Sequence, residues 1–219
     1  RESQMNRLAW VVACLCTLLA APMAFANDQK LVVGGGLGIH TFSKTDDVRQ
    51  GSALFQGEDE IKGGTLIQLF GEWYLLDDVG LGLRLLSITG GRTYSSAYQK
   101  LEQEVNVTTV LLTLNWVPIG SESYTRLGLL GGVGPASYEV TEKFTDSSGT
   151  FAGYDESAST DGSAGLLGIY IDWGGEDFGA RFGLNFLSTN LDPLEVQGQK
   201  LDVDGSGTSF YFDLRWAFD

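Results

Sequence analysis

The one histidine of this chain, His40, lies close in sequence to Ser43 and Asp46. An imidazole beside a hydroxyl and a carboxylate has the composition of an acyl-transfer site, in which the base activates the nucleophile. On an extended chain, however, His40 and Ser43 point to opposite faces, so the grouping reads better as a histidine that pairs or sits at a boundary. A second cluster is Asp202-Val203-Asp204-Gly205-Ser206-Gly207. Its carboxylates two residues apart resemble half of a calcium loop but have no distal bidentate Glu, which leaves Asp202 and Asp204 as candidate cation ligands. The glycine run Gly34-Gly35-Gly36-Leu37-Gly38 has no helix pattern after it, so it belongs to a strand and not to a phosphate-binding turn. Both cysteines, Cys14 and Cys16, fall in an N-terminal apolar run. No zinc or Cys-His site can be built, and no cofactor or metal is expected. The formal charge of -14 argues against a nucleic-acid partner, because a polyanion needs a cationic footprint.

The N-terminal segment has Arg7, an apolar stretch from Leu8 to Ala21, and the small-x-small ending Ala24-Phe25-Ala26. These are the parts of a secretory signal peptide cleaved after Ala26, and the stretch falls short of the ~20 residues of a membrane span. A lipoprotein reading at Cys14 is weaker, since a better cleavage site follows. Residues 1–4 precede the expected initiator Met5. The organisation is therefore residues 1–26 as start-site extension and signal peptide, and residues 27–219 as one domain. That domain carries 12 Lys and Arg against 27 Asp and Glu, a net charge of -15.

The elements that hold these residues are strands. Eight segments alternate apolar and polar residues over the length a tilted membrane-crossing strand needs: residues 31–42, 64–76, 79–92, 105–117, 124–138, 164–173, 178–189 and 208–218. Short turns at 77–78, 118–123 and 174–177 alternate with long polar connections at 43–63, 93–104, 139–163 and 190–207. All long connections then fall on one rim and all short turns on the other, as an antiparallel up-and-down barrel of even strand number requires. The long connections hold 17 Asp and Glu against 6 Lys and Arg, so most of the negative charge lies on one rim. The plain reading of such a rim is a solvated loop surface, and the sharper one is cation-bridged contact with a partner.

One face of each strand is wholly apolar. The other mixes small residues with Glu72, Arg84, Arg126, Asp172, Arg181, Asp213 and Arg215. Three acids and four bases are too sparse for a water-facing exterior and fit a packed interior of compensating ions. Trp73, Trp116, Trp173 and Trp216 stand near the ends of the four even-numbered segments, all on the short-turn rim. Indoles favour the headgroup boundary, so this row reads as an interfacial girdle. A soluble lipocalin-type carrier would instead turn its charged side outward.

With its signal peptide, eight alternating strands, short turns opposite long loops and the terminal run Phe212-Asp213-Leu214-Arg215-Trp216-Ala217-Phe218, the chain resembles the small eight-stranded outer-membrane barrels of Gram-negative bacteria, the OmpA-transmembrane, OmpX and OmpW-like group. The resemblance implies an all-β, eight-stranded antiparallel transmembrane barrel in the outer membrane, with short periplasmic turns and long extracellular loops. It implies that Trp216 and Phe218 form the C-terminal signal read by the β-barrel assembly machinery. Asp219 after the Phe, and Asp213 where a Gly is usual, depart from that pattern. The implied partners are outer-membrane lipids and lipopolysaccharide, reached by the acidic loops through divalent cations, and a monomer is expected. Fold does not give function. A non-enzymatic structural or surface-interaction role comes first, because an eight-stranded interior is just wide enough for side chains to fill. A narrow channel for small solutes or hydrophobic molecules comes second, and lipid A modification third.

Overall fold

The computed structural model describes residues 30–43, 61, 63–120, 124–175, 177–196 and 199–218. The signal segment 1–26, Asp46 and Asp219 lie outside the described residues. The elements are β1 (Lys30–Phe42), β2 (Gly63–Leu76), β3 (Val79–Ser95), β4 (Gln99–Ile119), β5 (Thr125–Asp146), β6 (Tyr154–Gly174), β7 (Phe178–Leu191), β8 (Leu194–Val196), β9 (Gln199–Leu201) and β10 (Gly207–Phe218). Eight of them close into an antiparallel barrel in the order β1-β10-β7-β6-β5-β4-β3-β2. The remaining two, β8 and β9, form a small hairpin in the connection from β7 to β10, where the sequence pattern showed only polar loop.

The register gives the stagger of the barrel. Following direct cross-strand partners from Arg126 leads through Asp172, Arg181, Asp213, Gly36, Gln68, Leu86 and Thr109 and returns to β5 at Ala136. One circuit therefore advances ten residues along β5. That stagger over eight strands corresponds to the steep tilt, roughly 35–45°, that closed barrels of this size adopt.

Strand lengths depart from the alternation pattern in one region. The strands β4, β5 and β6 run 21, 22 and 21 residues, whereas β1, β2, β7 and β10 have 13, 14, 14 and 12. Segments 93–104 and 139–163, which read as polar loops, are largely strand. The β3–β4 and β5–β6 connections shrink to residues 96–98 and 147–153. Their outward positions, such as Glu104, Lys143 and Asp155, are polar, so apolar residues survive on the inner side alone, as in Leu101, Val105, Val140 and Phe144. The paired backbones satisfy their hydrogen bonds across these extensions without an apolar outer face. The result is a sheet of β3 to β6 that stands above the shorter wall. At the opposite rim the tight turns use left-handed backbone at Gly120 and Gly174, where φ is 76° and 140°.

The outer wall between the rims is exposed and apolar, carrying Leu37, Ile39, Ile67, Leu69, Leu112, Leu114, Leu167, Ile169, Phe182 and Phe212 among others. A band of this kind is not maintained against water and matches the lipid-facing surface of a membrane barrel. No helix among the described residues is long and apolar enough to cross a membrane; crossing by strands is a separate matter.

Candidate functional site: the barrel interior

Inward-facing residues divide the interior into two layers. The layer near the short turns is ionic, and Glu72 on β2 is its hub. One carboxylate oxygen of Glu72 accepts from Arg84 Nη2 at 3.1 Å and from Arg181 Nη1; the other accepts from Arg181 Nη2 at 2.9 Å and from the Tyr74 hydroxyl at 3.3 Å. Arg181 also donates through Nε to Asp172 Oδ1 at 2.7 Å and through Nη2 to Asp172 Oδ2 at 3.2 Å. Arg84 Nη1 donates to Gln68 Oε1, and Gln68 Nε2 passes the chain on to Asp213 Oδ1 at 2.7 Å. Arg215 stands 3.5 Å from Asp172 and donates to the Gly175 carbonyl. Glu72, Arg181 and Asp213 are all at 0% exposure, so these charges are held by one another and not by solvent.

The fold assembles this layer through register. Arg126, Asp172, Arg181 and Asp213 are consecutive cross-strand partners on β5, β6, β7 and β10, alternating in sign around the wall. Arg126 takes its place opposite Asp172 but is only half-buried, with no ion pair to it, and its Nε makes no hydrogen bond among the described residues. One row toward the loops, Gly128, Tyr170, Gly183, Tyr211 and Gly38 are consecutive partners. Each large ring lies flat over a glycine of the next strand: a Cβ at Gly128 would sit 2.0 Å from the Tyr170 ring, and one at Gly183 2.3 Å from Tyr211. The rings also cover the charges, with Arg181 packed 3.9 Å from the Tyr170 ring centre and both Arg181 and Arg84 against Phe70. Gln68, Phe70 and Tyr170 had not been singled out from the sequence. Their signal was parity, since each stands an even number of residues from Glu72 or Asp172 on its own strand.

The layer toward the loops is apolar. Phe42, Ile61, Leu66, Leu86, Ile88, Val105, Val107, Leu111, Leu130, Ala136, Leu166 and Leu187 form one buried cluster that also takes in the rings of Tyr138, Tyr170 and Tyr211. The expectation of an interior filled by charges did not include this layer; its signal lies where strands turn apolar on both faces, as in Leu85-Leu86 and Leu166-Leu167.

His40 belongs to this upper layer. It faces Ser209 across the β1–β10 seam, with 2.8 Å between Nδ1 and Oγ, and stacks edge-on against Phe42. The Ser43 amide donates to the Ser206 carbonyl. The hydroxyl beside the imidazole is thus Ser209, which sequence proximity could not reveal. His40 and Ser209 are 1% and 2% exposed, so a lipid substrate has no approach to them with the barrel closed. In the last loop Asp204 Oδ1 already accepts from Thr189 Oγ1 and the Ser206 amide, while Asp202 is exposed. Asp204 therefore serves as a turn cap, and among the described residues no group of three His, Cys, Asp or Glu converges as a metal site.

The four strand tryptophans, Trp73, Trp116, Trp173 and Trp216, alternate with inward residues and point outward near the short turns. Trp73 is half-buried, and Trp116, Trp173 and Trp216 are exposed, with Trp216 against Phe178 at 5.3 Å between ring centres. Phe218 is exposed at the end of β10, opposite Leu31.

Neither a protein-family model nor a curated protein sequence matches this chain. Solved structures do. Ail, the attachment invasion locus protein of Yersinia pestis, in complex with the heparin analogue sucrose octasulfate, aligns over 87% of this chain and 98% of its own at 15% identity, with a TM-score of 0.52. A major outer membrane protein from Thermus thermophilus aligns over 88% of this chain and 100% of its own at 11% identity, with a TM-score of 0.51. At such identities the likeness is one of fold, and the fold of this chain is that of the small eight-stranded outer-membrane barrels.

Proposed function

We propose that this protein is a Gram-negative outer-membrane barrel, closed to ions, that acts as a structural or surface-interaction protein through its loop-end rim. The observation that carries the reading is the two-layer interior, with Arg181 pinned to Glu72 and Asp172 beneath a buried apolar cluster. An ion crossing it would have to break buried charge pairs and then enter a layer that offers little solvation. The Trp row and the short turns face the periplasm in this reading, and the raised sheet of β3 to β6 stands outside. Trp216 and Phe218 then serve as the signal for the assembly machinery.

The rim chemistry sets the partner class. Segments 43–63, 93–104, 139–163 and 190–207 hold 17 acids against 6 bases, so a sulfated sugar such as the heparin analogue bound to Ail would be repelled. Lipopolysaccharide phosphates bridged by divalent cations, or a basic partner, fit this surface. The test is the refolded barrel in a planar bilayer, with insertion verified by heat-modifiable gel mobility. Silence in potassium chloride is expected, and reproducible conductance steps would overturn the reading in favour of a solute channel.

A further inference from the structure

The two-layer division fails most fully on one wall, although β4 also turns buried Thr109, Thr113 and Asn115 inward. Along β10 the inward positions between Ala217 and Gly207 are Arg215, Asp213, Tyr211 and Ser209, all polar, and β7 and β1 flank them with Asn185 and His40 at the level of Ser209. Asn185, Ser209 and His40 are direct cross-strand partners, all at least nine-tenths buried, next to an apolar cluster that gives them nothing to bond. Among the described residues, Arg215 Nη1, Asp213 Oδ2, the Tyr211 hydroxyl, both side-chain polar atoms of Asn185, and His40 Nε2 make no hydrogen bond to the protein. Buried polar atoms left unpaired cost ~1–3 kcal/mol each, so six on one stripe require a ligand that donates and accepts at every level. The inward positions of a strand repeat about every 6.8 Å, a gap that one or two waters bridge.

We propose that the inner face of β10, with Asn185 and His40, binds a file of water molecules that reaches from Arg215 to the loop end, so that the barrel passes water while it blocks ions. The inference rests on the membrane-barrel reading. Water is neutral and fits between fixed side chains, whereas a hydrated ion meets the Arg84, Arg181 and Arg215 guanidiniums on one side and the Leu and Ile cluster on the other. At the upper level the path depends on Asn185 and Ser209, which take no part in the Glu72 network.

The experiment is stopped-flow light scattering of proteoliposomes under an osmotic step, on preparations whose insertion is verified by heat-modifiable mobility and whose ion conductance is recorded in parallel. Water permeability above that of protein-free vesicles by about twofold or more is expected, with no conductance steps. Asn185→Leu and Ser209→Val should each return it toward the protein-free value. Phe212→Leu, on the outer wall, should leave it unchanged and controls for folding and insertion. Permeability equal to that of protein-free vesicles with an inserted wild-type barrel would overturn the proposal, as would full permeability in Asn185→Leu. Failure to insert would instead strike the membrane reading, and conductance steps would strike the closure to ions.

Discussion

The two halves of the barrel interior fill the same bore by opposite means. Near the short turns, Glu72, Asp172, Arg84 and Arg181 fill the bore with charge, and each gains its place only through partners on other strands. Toward the loops, Leu66, Ile88 and Val107 fill the same cross-section as direct cross-strand neighbours and need nothing beyond volume. The ionic half is specific and brittle, since a carboxylate shared by two guanidiniums cannot be removed without taking an acceptor from both. The apolar half is tolerant, since its loss scales with the cavity left behind.

The largest effect should come from the hub. Glu72→Ala leaves Arg84 and Arg181 buried without their shared acceptor and should cost ~3–5 kcal/mol, read as a lower urea midpoint of the heat-modifiable form. Adding Arg84→Ala should cost much less than the two single changes together, because the second change removes a charge that the first had orphaned. A Glu72→Ala barrel as stable as the wild type would show that the ionic layer is not held by pairing.

Ile88→Ala tests the other half. Ile88 is fully buried between Leu66 and Val107, and its truncation should cost ~2–4 kcal/mol by the same measurement. Leu66, its partner on β2, is six residues from Glu72, about 20 Å along the strand, so Glu72→Ala and Ile88→Ala should add to within ~0.5 kcal/mol. Strong coupling between them would mean that the halves are one packing unit, and the division into two layers would fall.

The two halves also differ in how far the sequence foretold them. The charges were visible because Glu72, Arg84, Asp172, Arg181, Asp213 and Arg215 share one parity with glycines on strands whose other parity is apolar. Their partners were hidden. Asp172 meets Arg181 because a tight turn pairs β6 with β7, which the alternation implied. Arg181 meets Glu72 across the bore, a contact set by stagger and side-chain reach that no local pattern encodes. His40 was read beside Ser43 and Asp46, yet barrel closure sets it against Ser209 from the far end of the chain. The raised sheet was missed for another reason: with water on its outer face, extensions such as that of β5 beyond Tyr138 lack the apolar outer stripe on which strand recognition depends.

The smallest effect belongs to the top of that raised sheet, where charge is fully exposed and does not fill a bore. Asp146, at the end of β5, accepts from the Ser148 hydroxyl and from the amides of Ser148, Thr150 and Phe151, and these bonds hold its carboxyl below the ordinary 3.8. A carboxyl with a lowered folded pKa contributes stability that is fully present above the unfolded value and is lost as pH falls through the folded one. Protection of the Ser148, Thr150 and Phe151 amides, taken relative to their intrinsic exchange rates, should therefore be unchanged from neutral pH down to about 5 and should fall relative to neighbouring strand amides once pH drops below 3.8. Asp146→Asn should weaken protection of those three amides at neutral pH while the urea midpoint of the barrel stays put, because this turn packs on neither interior layer. A shift in the global midpoint would tie the raised sheet energetically to the interior, and the contrast between a self-contained bore and an independent outer surface would no longer hold.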